Sequence, residues 1–309
     1  MHSKVSIIGS GFVGTMAAQR TVEKNLADVV LYDIVEDLPQ GKALDISQSA
    51  SIEKFDGRVT GTNLLSDIEG SDIVVFTAGF PRTPGMTREE LALKNAGIIK
   101  TVTEKIGDYA PDAIIIMVTN PLDVMTHLAW RVCGFPPSRV MGMGGILDTA
   151  RYKYFLSREL DVSVKDIETM VLGSHGESMV PVDSYTTLKG IPVSNYIQKE
   201  RLDEIIERTK KGGAEIVNLL KKGSAWHAPS ASVTAMIEAI INDSKRLFPV
   251  STYLSGEYGI NGTHIGVPVL LGASGVEKIF EITLSPEELA ALRESADIMK
   301  KTFEGLTIL

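Results

Sequence analysis

The chain has 309 residues, 44% of them apolar and 23% charged, with a formal net charge of −8. That is the balance of an ordinary soluble globular protein of one large or two medium domains, and its charge argues against general affinity for nucleic acid or an anionic membrane. The longest purely apolar run (113–118) is too short to span a bilayer, residue 5 already falls in a strand and leaves no room for a signal peptide, and the single cysteine, Cys133, excludes an intrachain disulfide or a cysteine metal cluster.

Strands are expected at 4–8, 28–33, about 57–61, 72–77, 113–118 and 139–142. Helices are expected between them at about 13–25, 39–48, 88–108 and 121–133. Regular alternation with short connections means a parallel sheet covered on both faces. A helix from about 147 to 160 leads into a mixed second half. There, strands are expected at 167–172, 181–188, 265–272 and 276–282, and helices at 201–221 and 226–242, the first bent at Gly212-Gly213. Ser285, Pro286 and Glu288 together mark the start of a last helix by a capping box. The fold class is therefore α/β: an N-terminal doubly wound parallel sheet of the Rossmann type and a C-terminal mixed α+β domain. The division falls near residue 142, giving domains 1–142 and 143–309.

The first connection reads Gly9-Ser10-Gly11-Phe12-Val13-Gly14. Gly9 allows a tight turn, Gly11 leaves room for a pyrophosphate, and Gly14 lets the helix approach its strand. The helix N-terminus offers free N–H groups and a positive dipole end to phosphate. At the end of the next apolar run stands Asp33, placed to accept hydrogen bonds from the adenosine ribose and to repel a 2′-phosphate. Alone, the glycine pattern is often a plain turn. With strand, helix and acid in order it indicates a nucleotide site for NAD rather than NADP.

Five further patterns carry chemistry. Arg82 and Arg88 lie on or beside a Pro/Gly-rich loop, 79–87, at the carboxyl edge of the sheet, where a mobile lid is expected. Val118, Thr119 and Asn120 end a strand before Pro121. Lys94-Asn95 lies on the helix after the loop. Asp148 and Arg151 stand three apart on one helix face. His175 sits between glycines after an apolar strand, in Gly173-Ser174-His175-Gly176-Glu177. Each has a bland reading as solvated charge, turn residue or surface pair; only their combination in one chain points to chemistry. His2, His127 and His264 read as structural, and His227 stands beside Trp226 at a helix start.

In this order the motifs resemble the lactate/malate dehydrogenase superfamily, most closely the bacterial malate dehydrogenases with lactate-dehydrogenase architecture. The resemblance spans the chain: Leu147–Arg151 matches the Leu-Asp-x-x-Arg signature and Pro84–Arg88 the Pro-Gly-Met-Thr-Arg loop. Gly41–Asp45 and Gly212–Val217 match as well. It implies that His175 shuttles the proton of the substrate hydroxyl, with Asp148 orienting it. Arg151 would grip the C1 carboxylate and Arg88 polarise the reacting carbonyl, with Asn120 on the same oxygen. Arg82 would bind a second carboxylate. Gly9, Ser10, Gly11, Phe12, Val13, Gly14, Asp33, Asn95, Val118, Thr119 and Asn120 would hold NAD, with no metal. The implied protein is cytoplasmic, a homotetramer before a dimer, acting on malate and oxaloacetate in the tricarboxylic acid cycle. Two departures stand out: Glu177 where the family usually has Asp, and Gly144 where alanine is common.

The rival within the class is a lactate or broad 2-hydroxyacid dehydrogenase. From another class, a non-catalytic NAD sensor would keep the glycines and Asp33 but not the His175, Asp148, Arg88 and Arg151 set. A metal-dependent NAD-using hydrolase lacks a Cys/His ligand set.

Overall fold

The structure, a computed structural model, describes residues 3–80 and 88–306. Its first half supplies six parallel strands: β1 (Lys4–Ile8), β2 (Asp28–Tyr32), β3 (Val59–Thr62), β4 (Ile73–Phe76), β5 (Ile114–Met117) and β6 (Val140–Gly142). Their order is β3-β2-β1-β4-β5-β6. The order reverses beside β1, and the crevice at that switch point is where such sheets bind ligands. Helices α1 (Phe12–Glu23), α2 (Leu38–Glu53), α3 (Arg88–Tyr109) and α4 (Leu122–Cys133) make the connections.

Alternate residues of each strand enter different core layers. Ile7, Val75 and Ile116 join Ala18 and Val22 of α1 on one face. Ile8, Phe76 and Ile115 join Ile99 of α3 and Leu128 of α4 on the other. Burial on both faces is why these strands read as unbroken apolar runs.

The second half extends the same sheet with antiparallel strands. β6 pairs with β12 (Arg246–Ser255), which pairs with β13 (Asn261–Gly272). Beyond them lie β8 (Val171–Gly173) and β9 (Met179–Pro181), while β14 (Gly275–Ile279) also pairs with β13. A separate three-stranded sheet is built from β7 (Ile167–Glu168), β10 (Thr187–Leu188) and β11 (Ile191–Pro192). Helices α5 (Gly145–Leu160), α6 (Lys199–Leu220), α7 (His227–Ile241) and α8 (Pro286–Glu304) complete this half. The fold is α/β, a doubly wound parallel sheet continued by an α+β C-terminal half. No helix among the described residues is long and apolar enough to cross a membrane.

Four details differ from the sequence reading. The expected strand 167–172 is two strands, β7 and β8, in different sheets. The expected strand 181–188 is broken by a single 3₁₀ turn, Asp183–Tyr185, between β9 and β10. No strand is expected over 246–255, where β12 forms although it carries a central proline; Pro249 lies opposite Pro268 of β13 in the ladder. Finally, α6 is continuous through Gly212-Gly213, so the pair is not a bend. The capping box of α8 forms as expected: the Glu288 N–H donates to Ser285 Oγ at 3.1 Å, and the Ser285 N–H donates to Glu288 Oε2 at 2.9 Å.

Between α4, β12, β13 and α8 lies a buried aromatic cluster. His127 and His264 face each other with Nδ1 atoms 3.1 Å apart, surrounded by Trp130, Tyr253 and Phe303. One ring can donate only if the other accepts, so the pair is stable uncharged. Burial, then the Arg131 charge, holds His127 down to about 4. An unfolded imidazole titrates near 6.5, so the unfolded chain takes up the proton first as pH falls. Stability should be full above about pH 7 and decline from about 6.5 towards 4, by up to about 3 kcal/mol from His127. Urea unfolding at stepped pH should show this decline, and His127→Phe should flatten it. An equal slope in the variant would show that His127 is not its source.

Candidate active site

The nucleotide edge is built at the carboxyl ends of β1 and β2. Gly9 adopts φ +107°, and a Cβ there would lie 2.7 Å from Thr77 Oγ1 and 2.8 Å from the Ala78 nitrogen. A Cβ on Gly14 would lie 2.0 Å from the Gly9 carbonyl oxygen. Both positions are closed to any side chain. Gly11 is the opposite case: a Cβ there meets no atom within 4 Å, so the turn presents open space. α1 starts after Gly11 with no side-chain cap, leaving its first N–H groups available to an anion. Asp33 directly follows β2; its Oδ2 accepts the Ser10 N–H at 2.7 Å and its Oδ1 the Val35 N–H at 3.1 Å. Each oxygen keeps a lone pair for a hydroxyl. An open cradle, an uncapped helix end and a carboxylate beyond it fit a dinucleotide with an unsubstituted ribose.

Next to this edge, Thr119 is buried and donates to the Ala78 carbonyl at 2.7 Å. Val118, half-buried, directly follows β5, and Asn120 is exposed at the start of a cis peptide to Pro121. Asn95, 1% exposed, donates from Nδ2 to the Asn120 carbonyl at 2.7 Å and accepts the Phe80 N–H at 2.8 Å. Its amide thus ties Asn120, after β5, to Phe80, after β4. Arg82 lies outside the described residues, as does the side chain of Arg88; the expected lid falls on the same segment.

The chemical cluster comes from α5 and the loop after β8. Asp148 and Arg151 are one turn apart, and Arg151 Nη1 donates to Asp148 Oδ1 at 3.2 Å. Asp148 Oδ2 lies 2.8 Å from His175 Nδ1. The carboxylate is 1% exposed. Burial opposes a charged His175, but the charge and hydrogen bond of Asp148 outweigh it and hold the imidazole above its ordinary value. Arg151 pulls the other way and Asp123 adds to the rise. The bond from Nδ1 leaves Nε2 as the atom that can exchange a proton with a ligand.

Sequence reasoning missed Asp123. It sits in the first turn of α4, 2% exposed, and its Oδ2 accepts the backbone N–H of His175 at 2.8 Å. Burial pushes its carboxyl up, and the hydrogen bond from the His175 amide offsets this only in part. The available signal was an acid inside an otherwise apolar run, Leu122 to Met125, which a first-turn helix position made ordinary. The departure at Gly144 also gains a location: a Cβ there would lie 3.2 Å from His175 Cβ and 2.7 Å from Leu122 Cδ2. It therefore packs on the histidine.

A nucleotide-binding edge beside a buried imidazole–carboxylate–guanidinium cluster is the arrangement of a nucleotide-dependent oxidoreductase. Residues 3–142 match the family model "lactate/malate dehydrogenase, NAD binding domain", and residues 146–307 match "lactate/malate dehydrogenase, alpha/beta C-terminal domain". The chain is 54% identical over 306 residues to a malate dehydrogenase of Roseiflexus sp. (strain RS-1), covering 99% of each chain. The structure matches that of a Cryptosporidium parvum malate dehydrogenase with a TM-score of 0.97 at 40% identity, covering 100% of both chains. It also matches a lactate dehydrogenase of the same organism, complexed with lactic acid and nicotinamide adenine dinucleotide, with a TM-score of 0.97 at 39% identity, covering 100% of this chain and 99% of that one. The chain belongs to the lactate/malate dehydrogenase family. It is an NAD-dependent oxidoreductase.

The Gly212-Gly213 pair now has a physical reason. A Cβ on Gly212 would lie 3.3 Å from Arg151 Cδ, and one on Gly213 would lie 3.6 Å from Arg151 Nη2. The two glycines form a flat seat for the guanidinium inside a helix that would otherwise prefer alanine. Gly212→Ala should gain about 0.5–1 kcal/mol of intrinsic helix stability while displacing Arg151. The variant should unfold at no lower urea than the parent yet show a several-fold higher KM for its carboxylate substrate. An unchanged KM would remove the seat's role.

Proposed function

We propose that the protein is a malate dehydrogenase, interconverting (S)-malate and NAD⁺ with oxaloacetate, NADH and a proton. The observation that supports it most is the His175–Asp148–Arg151 cluster, in a chain about half identical to malate dehydrogenases over its full length. Bound NAD supplies the hydride acceptor at its nicotinamide. His175 takes the hydroxyl proton at Nε2 while Asp148 stabilises the resulting imidazolium. Arg151 receives the C1 carboxylate through paired N–H donors. Arg88 and Asn120 serve the reacting oxygen, where negative charge develops during reduction. Asp123 acts through the main chain of His175. In this reading residues 1–142 bind the cofactor and 143–309 the substrate, and the enzyme is a cytoplasmic homotetramer of the tricarboxylic acid cycle.

The likeness to a lactate dehydrogenase keeps one alternative in view. Arg82 separates the two. Oxaloacetate carries two carboxylates and pyruvate one, and Arg151 satisfies only the one they share. The second carboxylate needs its own cation in a poorly hydrated site, where an unpaired charge costs several kcal/mol. With pyruvate bound, Arg82 would itself lack a partner, so discrimination works from both sides. The parent should reduce oxaloacetate far faster than pyruvate at equal concentration. Arg82→Gln should lower kcat/KM for oxaloacetate by about 10²-fold or more and raise it for pyruvate. A ratio unmoved by the substitution would overturn the malate reading.

A further inference from the structure

Lys42 is not among the residues that motif or family resemblance marks for the cofactor, yet it reaches the nucleotide edge. It stands on α2, half-buried. Its Nζ donates to the Ser10 carbonyl at 2.5 Å and lies 5.9 Å from the centre of the Phe12 ring. Ser10 is thus held through both of its main-chain groups: Asp33 takes the N–H of the Gly9–Ser10 peptide at 2.7 Å, and Lys42 the carbonyl of the Ser10–Gly11 peptide. The two charges act on each other, since Asp33 favours the charged form of Lys42 against the larger opposing effect of burial. No ion pair joins them directly; the main chain of Ser10 stands between an anion and a cation at the same end of the turn.

We propose that Lys42 is a second determinant of cofactor class, opposing Asp33: its ammonium is placed to receive a phosphate ester at the adenosine ribose. This inference rests on the NAD site described above. In the parent, Asp33 repels a 2′-phosphate and accepts the free hydroxyls, so NAD is used. Lys42 remains a cation on a flexible stem at the same end of the turn. It can leave the Ser10 carbonyl without stranding it, because Thr15 Oγ1 also donates there at 3.0 Å. Removing the Asp33 charge should therefore expose a binding site for a phosphomonoester, without adding any basic residue.

Isothermal titration of the full chain with 5′-AMP and with adenosine 2′,5′-bisphosphate tests this without turnover. Asp33→Ser should raise the affinity ratio of bisphosphate to 5′-AMP by about tenfold or more, the worth of one charge-assisted contact. Adding Lys42→Met should abolish most of that gain, and Lys42→Arg should keep it. A gain that survives in the Asp33→Ser, Lys42→Met double variant would overturn the role of Lys42, as would no gain in Asp33→Ser. Failure of the parent to bind 5′-AMP would instead overturn the nucleotide site itself, and Lys42's role with it.

Discussion

The site depends on one buried carboxylate with two cationic partners. Asp148 is withdrawn from water and shared between His175 Nδ1 and Arg151 Nη1. A lone carboxylate in this position would be costly. The arrangement is tolerable because each oxygen has its own donor. The same compensation sets chemistry: the carboxylate orients the imidazole, favours its protonated form, and fixes Arg151 on the adjacent turn of α5. Helical spacing makes this possible, since residues three apart share a face.

Contacts run without a break from this carboxylate to the nucleotide edge. His175 is held by Asp123 through its main chain. Asp123 lies in the first turn of α4, which follows Asn120 and Pro121 at the end of β5. Asn120 is tied by Asn95 to Phe80, and Thr119 to Ala78. Ala78 lies against Gly9. The acid/base and the cofactor turn thus hang from neighbouring strand ends of one sheet.

The parallel half was legible because its physics is local. Strands covered on both faces are continuous apolar runs, and the glycine turn and Asp33 are spaced along one βαβ unit. The antiparallel half was less so. β12 hides behind Pro249, whose tolerance depends on a partner strand with Pro268 opposite, a fact of pairing rather than of propensity. The break between β9 and β10 depends likewise on strands joining different sheets. Within the site, His175, Asp148 and Arg151 were visible as a set and meet in space. Asp123 was not, because nothing in its neighbourhood along the chain announces a contact to residue 175. The Gly212-Gly213 pair reads as a bend and as part of a family-like stretch; its contact with Arg151 of α5 was not legible, because that side chain comes from another helix.

The coupling of Asp148 to His175 is tested most directly by the pH dependence of kcat/KM for oxaloacetate reduction, which reports the free enzyme's acid. Reduction needs His175 protonated. With Asp148 in place its pKa lies above the ordinary 6.5, so activity should persist through neutral pH and fall only beyond that raised value. Asp148→Asn should move the alkaline fall to lower pH by about one unit or more, and depress kcat/KM above it. An unchanged profile in a folded, cofactor-binding Asp148→Asn variant would contradict the account.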